Sequence, residues 1–192
     1  MLPLRNEDRR ALLSLARWAI VEAVCHARVP EIPKPTDALA HPCGAFVTLH
    51  HHGRLRGCIG QAEAVDSLAR TVACCAVSAA LHDPRFRPLH AEELADLEIE
   101  ISILSPLQVI RPEEIRVGVH GLVVTREKMR GVLLPQVAIE QSWGPHRLLE
   151  ETCVKAGLGR EAWKDPATRI EAFTADVFAE TELGPKKQAQ AS

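Results

Sequence analysis

A strict alternation of apolar and polar residues over 97–103 is the feature of this sequence that most constrains its fold. Leucine or isoleucine occupies every odd position, Glu98, Glu100 and Ser102 occupy the even ones, and Leu104 ends the predicted strand 97–104. Because successive side chains of a strand point to opposite faces, this segment predicts a strand with one aliphatic and one polar face. Such a strand needs a hydrophobic layer against its aliphatic face.

Helical periodicity elsewhere in the chain predicts that layer. The spacing of apolar residues predicts helices over 6–26 and 65–81, with Asn6 as the N-cap of the first. Further strands are predicted over 45–50, 122–126, 131–134 and 170–178, and shorter helices over 91–94, 135–139 and 145–156. Strands with helices between them, and one predicted hairpin, indicate an α+β fold with mostly antiparallel pairing.

The predicted hairpin surrounds two consecutive histidines and a glycine. A three-residue loop, His51–Gly53, is expected to pair Thr48 with Arg56. That register puts Leu55 on the buried face and places Arg56 and Cys58 together on the opposite face. A slip by one residue exchanges the two faces.

Composition excludes several classes of protein. The 192-residue chain has a net charge of −2, so it lacks the basic surface of a nucleic-acid-binding protein. Its N-terminus has no apolar segment of the secretory type, and no apolar run is long enough to cross a membrane. Together with six cysteines that show no paired spacing, this indicates a cytoplasmic protein. Residues 183–192 are predicted to form a disordered tail.

Leu55-Arg56-Gly57-Cys58-Ile59-Gly60 is the segment with the strongest chemical signal. A guanidinium beside a thiol favours the reactive thiolate form. Glycines inside a strand indicate a bulge or a backbone that another group approaches closely. The alternative is that Cys58 is a small core residue and Arg56 a structural ion-pair partner.

Other candidate residues lie on the predicted strands and turns. Glu98 and Glu100 point the same way, and they form either an acid–base pair or a solvated face. Contact between Glu100 and the arginine of the hexapeptide would favour a functional role for Glu100. Asp83 and Arg85 follow a helix end, where they either tie down the turn or supply a second cation. Gln136 starts a helix, where its amide either caps the turn or faces a ligand.

The histidines His50, His51 and His52 are adjacent. On a strand, His50 and His52 are spaced as half of a metal site, to which a thiol would have to be added. No third ligand has a diagnostic spacing, and a solvated loop tip is the favoured interpretation. The sequence therefore predicts no metal ligand set and names no cofactor.

The hexapeptide resembles the signature of the AMMECR domain family, also called AmmeMemoRadiSam system protein A. The resemblance continues in family order through roughly residues 10 to 180. Its further blocks are Gly44–Leu49, Asp83–Phe86, Glu98–Ser102, Arg130–Ala138 and Cys153–Leu158.

The resemblance implies one domain, residues 6–182, made of two unequal lobes. Each lobe is expected to hold an antiparallel sheet with packed helices, and the larger lobe to hold both termini. The signature strand is expected to face a cleft between the lobes, which is the suspected active site. Family members occur with a Memo-type protein and a radical-SAM protein, so both are expected partners.

Besides the disfavoured metal site of His50, His52 and a thiol, these observations lead to two hypotheses. In the first, the protein is an enzyme or enzyme component, with Cys58 as the reactive thiol, Arg56 as its activator or anion clamp, and Glu100 as a positioning or acid–base group. In the second, the protein is a binding module for a small anion or a partner segment. In either case the ligand-binding set is predicted to be Gly57, Gly60, Asp83, Arg85 and Gln136. The sequence names neither the substrate nor the reaction.

Overall fold

The computed structural model describes residues 4–28, 32, 35 and 37–183, and it confirms the α+β class. The α-helices are α1 (Asn6–His26), α2 (Asp37–Ala40), α3 (Leu68–Leu81), α4 (Pro135–Glu140), α5 (Pro145–Lys155) and α6 (Glu180–Leu183). The strands are β1 (Ala45–His51), β2 (Arg54–Gln61), β3 (Leu97–Leu104), β4 (Gln108–Val109), β5 (Gly121–Arg126), β6 (Met129–Leu133), β7 (Arg169–Phe173) and β8 (Ala175–Ala179). Short 3₁₀ helices span Ala91–Asp96, Pro112–Glu114 and Arg160–Lys164. None of the helices in the described part of the chain combines the length and hydropathy that a membrane crossing requires.

The first of two compact units comprises the described residues up to Ile103 and from Asp176 onward. Its sheet has the order β2-β1-β3-β8, and β1 is antiparallel to both of its neighbours. The alternating aliphatic residues of β3, from Leu97 to Ile103, are buried as their pattern predicts, and they pack with the apolar faces of α1 and α3 in one core. The hydrophobic effect of this shared core holds the sheet on its two main helices.

The second unit spans Leu104–Ala175. Its sheet has the order β4-β7-β5-β6, with antiparallel pairing throughout. Leu122 and Val124 of β5 are buried against Leu148, Leu149 and Cys153 of α5, which form the centre of a separate core. The unit therefore has the sheet and the hydrophobic core that a compact unit requires.

Two helix starts differ from their sequence predictions. Arg5, and not Asn6, is the N-cap of α1, and its backbone N–H donates to the carboxylate of Asp8 at 3.1 Å. The helix predicted from residue 65 begins only at Leu68, because the Ser67 hydroxyl accepts a hydrogen bond from the Arg70 N–H and caps it.

The strand predicted over 170–178 is in fact two strands that belong to different sheets. Strand β7 lies in the sheet of the second unit and β8 lies beside β3 in the first, with Thr174 between them. Both parts are mostly apolar, so their pattern does not show where the chain changes sheet. The predicted tail begins one residue too early, because α6 includes Leu183, and residues 184–192 lie outside the described residues.

The hairpin of β1 and β2 also differs from its predicted register. Its turn contains two residues, His52 and Gly53, with positive φ values of 50° and 72°. Thr48 pairs with Cys58 instead of Arg56, because Arg56 is an extra, bulged residue that opposes no residue of β1. Leu55 is 43% exposed, so its predicted place on the buried face is wrong.

Candidate functional site

Cys58, Thr48 and Glu100 form one row across three adjacent strands. Thr48 is the register partner of Cys58 on β2 and of Glu100 on β3, so all three side chains project from the same face of the sheet. The Thr48 hydroxyl donates to the Cys58 thiol over 3.4 Å. Cys58 and Glu100 are two strand spacings apart, about 10 Å. At this distance Glu100 is placed to act on a bound molecule and not on the thiol itself.

The turn Asp83–Phe86 holds the backbone of Cys58. The Cys58 N–H donates to Asp83 Oδ2 at 2.8 Å, and Arg85 Nη2 donates to the Cys58 carbonyl at 3.3 Å. Arg85 also binds the Asp83 carboxylate through Nε at 2.9 Å and through Nη2 at 2.6 Å. The aspartate and arginine therefore occupy the free edge of β2 at Cys58, where a neighbouring strand would otherwise pair.

Arg56 is engaged by other groups. Its guanidinium donates to both carboxylate oxygens of Glu93, at 2.7 and 3.0 Å, and to the carbonyls of Arg87 and Pro88. Only 11% of its side chain is exposed, against 54% for Arg85. These contacts match the structural ion pair that was the alternative interpretation.

Gly57 and Gly60 are required by packing inside the first unit. A Cβ at Gly57 would lie 2.2 Å from the carbonyl oxygen of Ala79 on α3, and one at Gly60 would lie 2.1 Å from the ring of Phe46. Each distance is shorter than van der Waals contact permits, so no larger residue fits unless the neighbour moves. The close approach that the sequence indicated is therefore made by a helix and an aromatic ring.

The remaining predicted residues lie on both units. Glu98 shares the face of Glu100 and accepts a hydrogen bond from the Thr181 hydroxyl at 2.7 Å. Gln136 is the second residue of α4, after Pro135, in the second unit. Its predicted contact with a ligand remains a prediction.

Hydrogen bonds shift the pKa values of two carboxyl groups. Donation by Arg85 is the largest cause that holds the pKa of Asp83 well below its usual range, and the N–H groups of Cys58 and Arg85 add to it. Donation by Arg56 lowers the pKa of Glu93 to about 2. Hydrogen bonding to Asp83 raises the pKa of Arg85, and the contact with Cys58 contributes in the same direction. The ionised forms of these groups therefore hold the site together.

These shifts predict a loss of stability in acid. Glu93 is more acidic in the folded state than in the unfolded state, so its contribution is complete above about pH 4.3 and is lost as the pH falls toward 2. Between pH 6 and pH 3 we expect protonation of this one carboxylate to lower the free energy of unfolding by about 2 kcal/mol. Urea denaturation at each pH measures the change. Asp83 adds to the same trend.

Glu93→Gln should flatten this pH dependence, because the amide cannot titrate. Glu92→Gln, at an exposed position on the same 3₁₀ helix, serves as the control and should keep it. If Glu93→Gln retained the full dependence of the unsubstituted protein, the ion pair with Arg56 would not be responsible for it.

Two residues of this site were missed by sequence reasoning. Thr48 lies on β1 and becomes visible as a neighbour of Cys58 only when the register is known. Glu93 lies 37 residues beyond Arg56 in the chain. Its one local signal was its position three residues after His90, which is typical of the first turn of a helix. There its carboxylate accepts the His90 N–H at 3.0 Å.

Comparison with known proteins agrees with the resemblance seen in the sequence. The family model AMMECR1 matches residues 13–178. A protein of Methanothermobacter thermautotrophicus is 43% identical over 186 residues, which cover 93% of this chain and 97% of that protein. A protein of Thermococcus kodakarensis is 40% identical over 192 residues, 94% of each chain.

The fold matches a solved structure as well. The crystal structure of an uncharacterised protein from Pyrococcus horikoshii superimposes with a TM-score of 0.87 at 37% identity, covering 92% of this chain and 93% of the other. On this evidence the chain is a member of the AMMECR1 family.

Proposed function

We propose that the protein is an enzyme, or a component of an enzyme, in which Cys58 is the reacting thiol and Arg85 binds an anionic group of the substrate. The observation that carries this proposal is the exposed Arg85 guanidinium fixed beside Cys58. The wider setting is a modification system with a Memo-type protein and a radical-SAM protein as partners. In this proposal Arg85 has the anion-binding role that the hexapeptide suggested for Arg56.

Two polar side chains contact Cys58. The Thr48 hydroxyl donates to its sulfur over 3.4 Å, and the Arg85 guanidinium donates to its carbonyl oxygen at 3.3 Å. Asp83 aligns Arg85 through Nε and Nη2, while Nη1 has two further N–H donors of the kind that bind carboxylate or phosphate. The site therefore combines a nucleophile with an anion-binding group.

Alkylation of the intact protein tests this arrangement. We expect iodoacetate to react with Cys58 faster than with Cys25 and Cys74, although Cys58 is the least exposed of the three. The ratio of the iodoacetate rate to the iodoacetamide rate should be raised at Cys58 by at least about threefold over Cys74, because the attraction of one carboxylate to one cation is of order 1 kcal/mol near a surface. Peptide mass spectrometry measures all three rates in one sample.

Arg85→Gln provides the matched variant, since it keeps a hydrogen-bonding side chain and removes the charge. It should reduce the iodoacetate preference at Cys58 to the value found at Cys74. Equal ratios at Cys58 and Cys74 in the unsubstituted protein, or an unchanged ratio after Arg85→Gln, would contradict an anion site beside the thiol. A slower reaction of Cys58 with both reagents would contradict the reactive thiol.

A binding module is the second candidate, and the anchored Arg85 favours it because it can hold an anion without any thiol chemistry. The two candidates differ in their need for Cys58. Titration with inorganic phosphate should give equal affinity for the unsubstituted protein and Cys58→Ala, and weaker binding by Arg85→Gln. If the protein is a binding module, Cys58 should also be unreactive. If it is an enzyme, Cys58 should also show the alkylation pattern described above.

A further inference from the structure

The tip of the β1–β2 hairpin brings two consecutive histidine rings together. In an extended strand, neighbouring side chains point to opposite faces, so His51 and His52 would be separated. His52, however, has a positive φ of 50°, a left-handed conformation in which histidine is more frequent than most residues. The two ring centroids are consequently 4.1 Å apart, with their planes inclined by 52°.

A carboxylate from the residue just before β3 completes the cluster. Asp96 ends the 3₁₀ helix Ala91–Asp96 and directly precedes Leu97, which is the register partner of His51. Asp96 Oδ2 lies 4.0 Å from His52 Nε2. One donor atom from each of His51, His52 and Asp96 lies within 4.8 Å of the others. The backbone register, and not chance rotamers alone, therefore holds the three donors together.

Two imidazoles and one carboxylate are a donor set typical of zinc. Ligand atoms about 2.0–2.2 Å from a tetrahedral Zn²⁺ are about 3.3 Å apart, so the donor atoms have to approach one another by up to about 1.5 Å. His52 and Asp96 have 68% and 57% of their side chains exposed, which leaves them room to turn inward. Magnesium and calcium prefer oxygen ligands alone and fit this set poorly.

We propose that His51, His52 and Asp96 bind Zn²⁺ at the hairpin tip and leave at least one coordination position for water. This site is separate from the row that contains Cys58, and the inference does not depend on the proposed function. It also differs from the pairing of His50 with His52 that strand spacing suggested. Zinc bound here would join the β1–β2 turn to the start of β3.

The experiment is a Zn²⁺ titration of the full chain, free of any histidine tag, by isothermal calorimetry. We expect one equivalent to bind. His52→Asn should weaken binding by more than about tenfold, since even outer residues of metal sites contribute 10- to 100-fold. Asn-Gly is a preferred sequence for a two-residue hairpin turn, so this variant keeps the fold while it removes a ligand. Asp96→Asn should weaken binding similarly.

His50→Gln is the control. His50 pairs with Glu98 and lies on the face of β1 opposite to His51. Its substitution should therefore change zinc affinity by less than twofold. A thermal shift adds a second measurement: Zn²⁺ should raise the melting temperature of the unsubstituted protein and of His50→Gln, but not of His52→Asn.

Three results would overturn the inference. The first is an absence of stoichiometric Zn²⁺ binding by the unsubstituted protein, and the second is full retention of binding by His52→Asn. The third is a Co²⁺ complex whose absorption shows thiolate-to-metal charge transfer, which would place the metal on a cysteine.

Discussion

Gly57→Ala is expected to destabilise the protein by about 3 kcal/mol or more, near the upper end of the cost of overpacking. The new Cβ would meet the carbonyl oxygen of Ala79 at 2.2 Å. That oxygen belongs to the backbone of α3 and cannot rotate away, so either the strand or the helix has to shift. Urea denaturation followed by circular dichroism measures the loss.

Gly159→Ala is the matched control for this prediction. Gly159 is exposed, has a φ of −65°, and a Cβ built on it meets nothing within 4 Å. Its substitution should change the free energy of unfolding by no more than about 0.5 kcal/mol. If Gly57→Ala were equally mild and instead abolished phosphate binding, the glycine would serve access to a ligand, as its place in the hexapeptide first indicated.

Arg56→Met is expected to destabilise the protein by about 3–5 kcal/mol, because it leaves the Glu93 carboxylate half-buried and without its cation. The methionine preserves most of the apolar stem, so lost packing contributes little. Arg54→Met, at an exposed position on the same strand, is the control and should change stability by no more than about 0.5 kcal/mol. Thermal and urea unfolding both report the difference.

The double variant Arg56→Met/Glu93→Leu separates the two interpretations of Arg56. Removal of both charges should recover a large part of the loss, since a buried ion pair can often be replaced by apolar residues at little cost. Arg56→Met could instead remain as stable as the unsubstituted protein and lose the iodoacetate preference at Cys58. That result would show that Arg56, and not Arg85, binds the anion.

Sequence patterns predicted most elements because the signals were local. The alternation over 97–103 and the apolar periodicity of α1 each lie within one element, and both predictions are confirmed. The separation of β7 from β8 was missed, because an apolar strand pattern is the same whichever sheet receives it. Local patterns therefore identified the class of fold but not the route of the chain between its sheets.

The site was harder to predict than the fold, because its geometry depends on two backbone irregularities. The bulge at Arg56 and the left-handed His52 together change the pairing of every residue beyond the turn. Thr48 therefore became the partner of Cys58, and Arg56 turned to Glu93 instead of the thiol. The Cys58 hexapeptide was visible in the sequence, but the cation beside it, Arg85, is 27 residues away in the chain.

The second unit lies in sequence between two neighbouring strands of the first sheet, β3 and β8. Its ends are joined to each other, since the Ser105 N–H donates to the Thr174 carbonyl at 2.9 Å and the Thr174 N–H to the Ser105 hydroxyl at 3.0 Å. Closing so long a loop in an unfolded chain costs about 4 kcal/mol of entropy. A second unit that folds early brings these ends together beforehand, so the last strand can complete the first sheet without that cost. The order of folding would then run from the inserted segment outward.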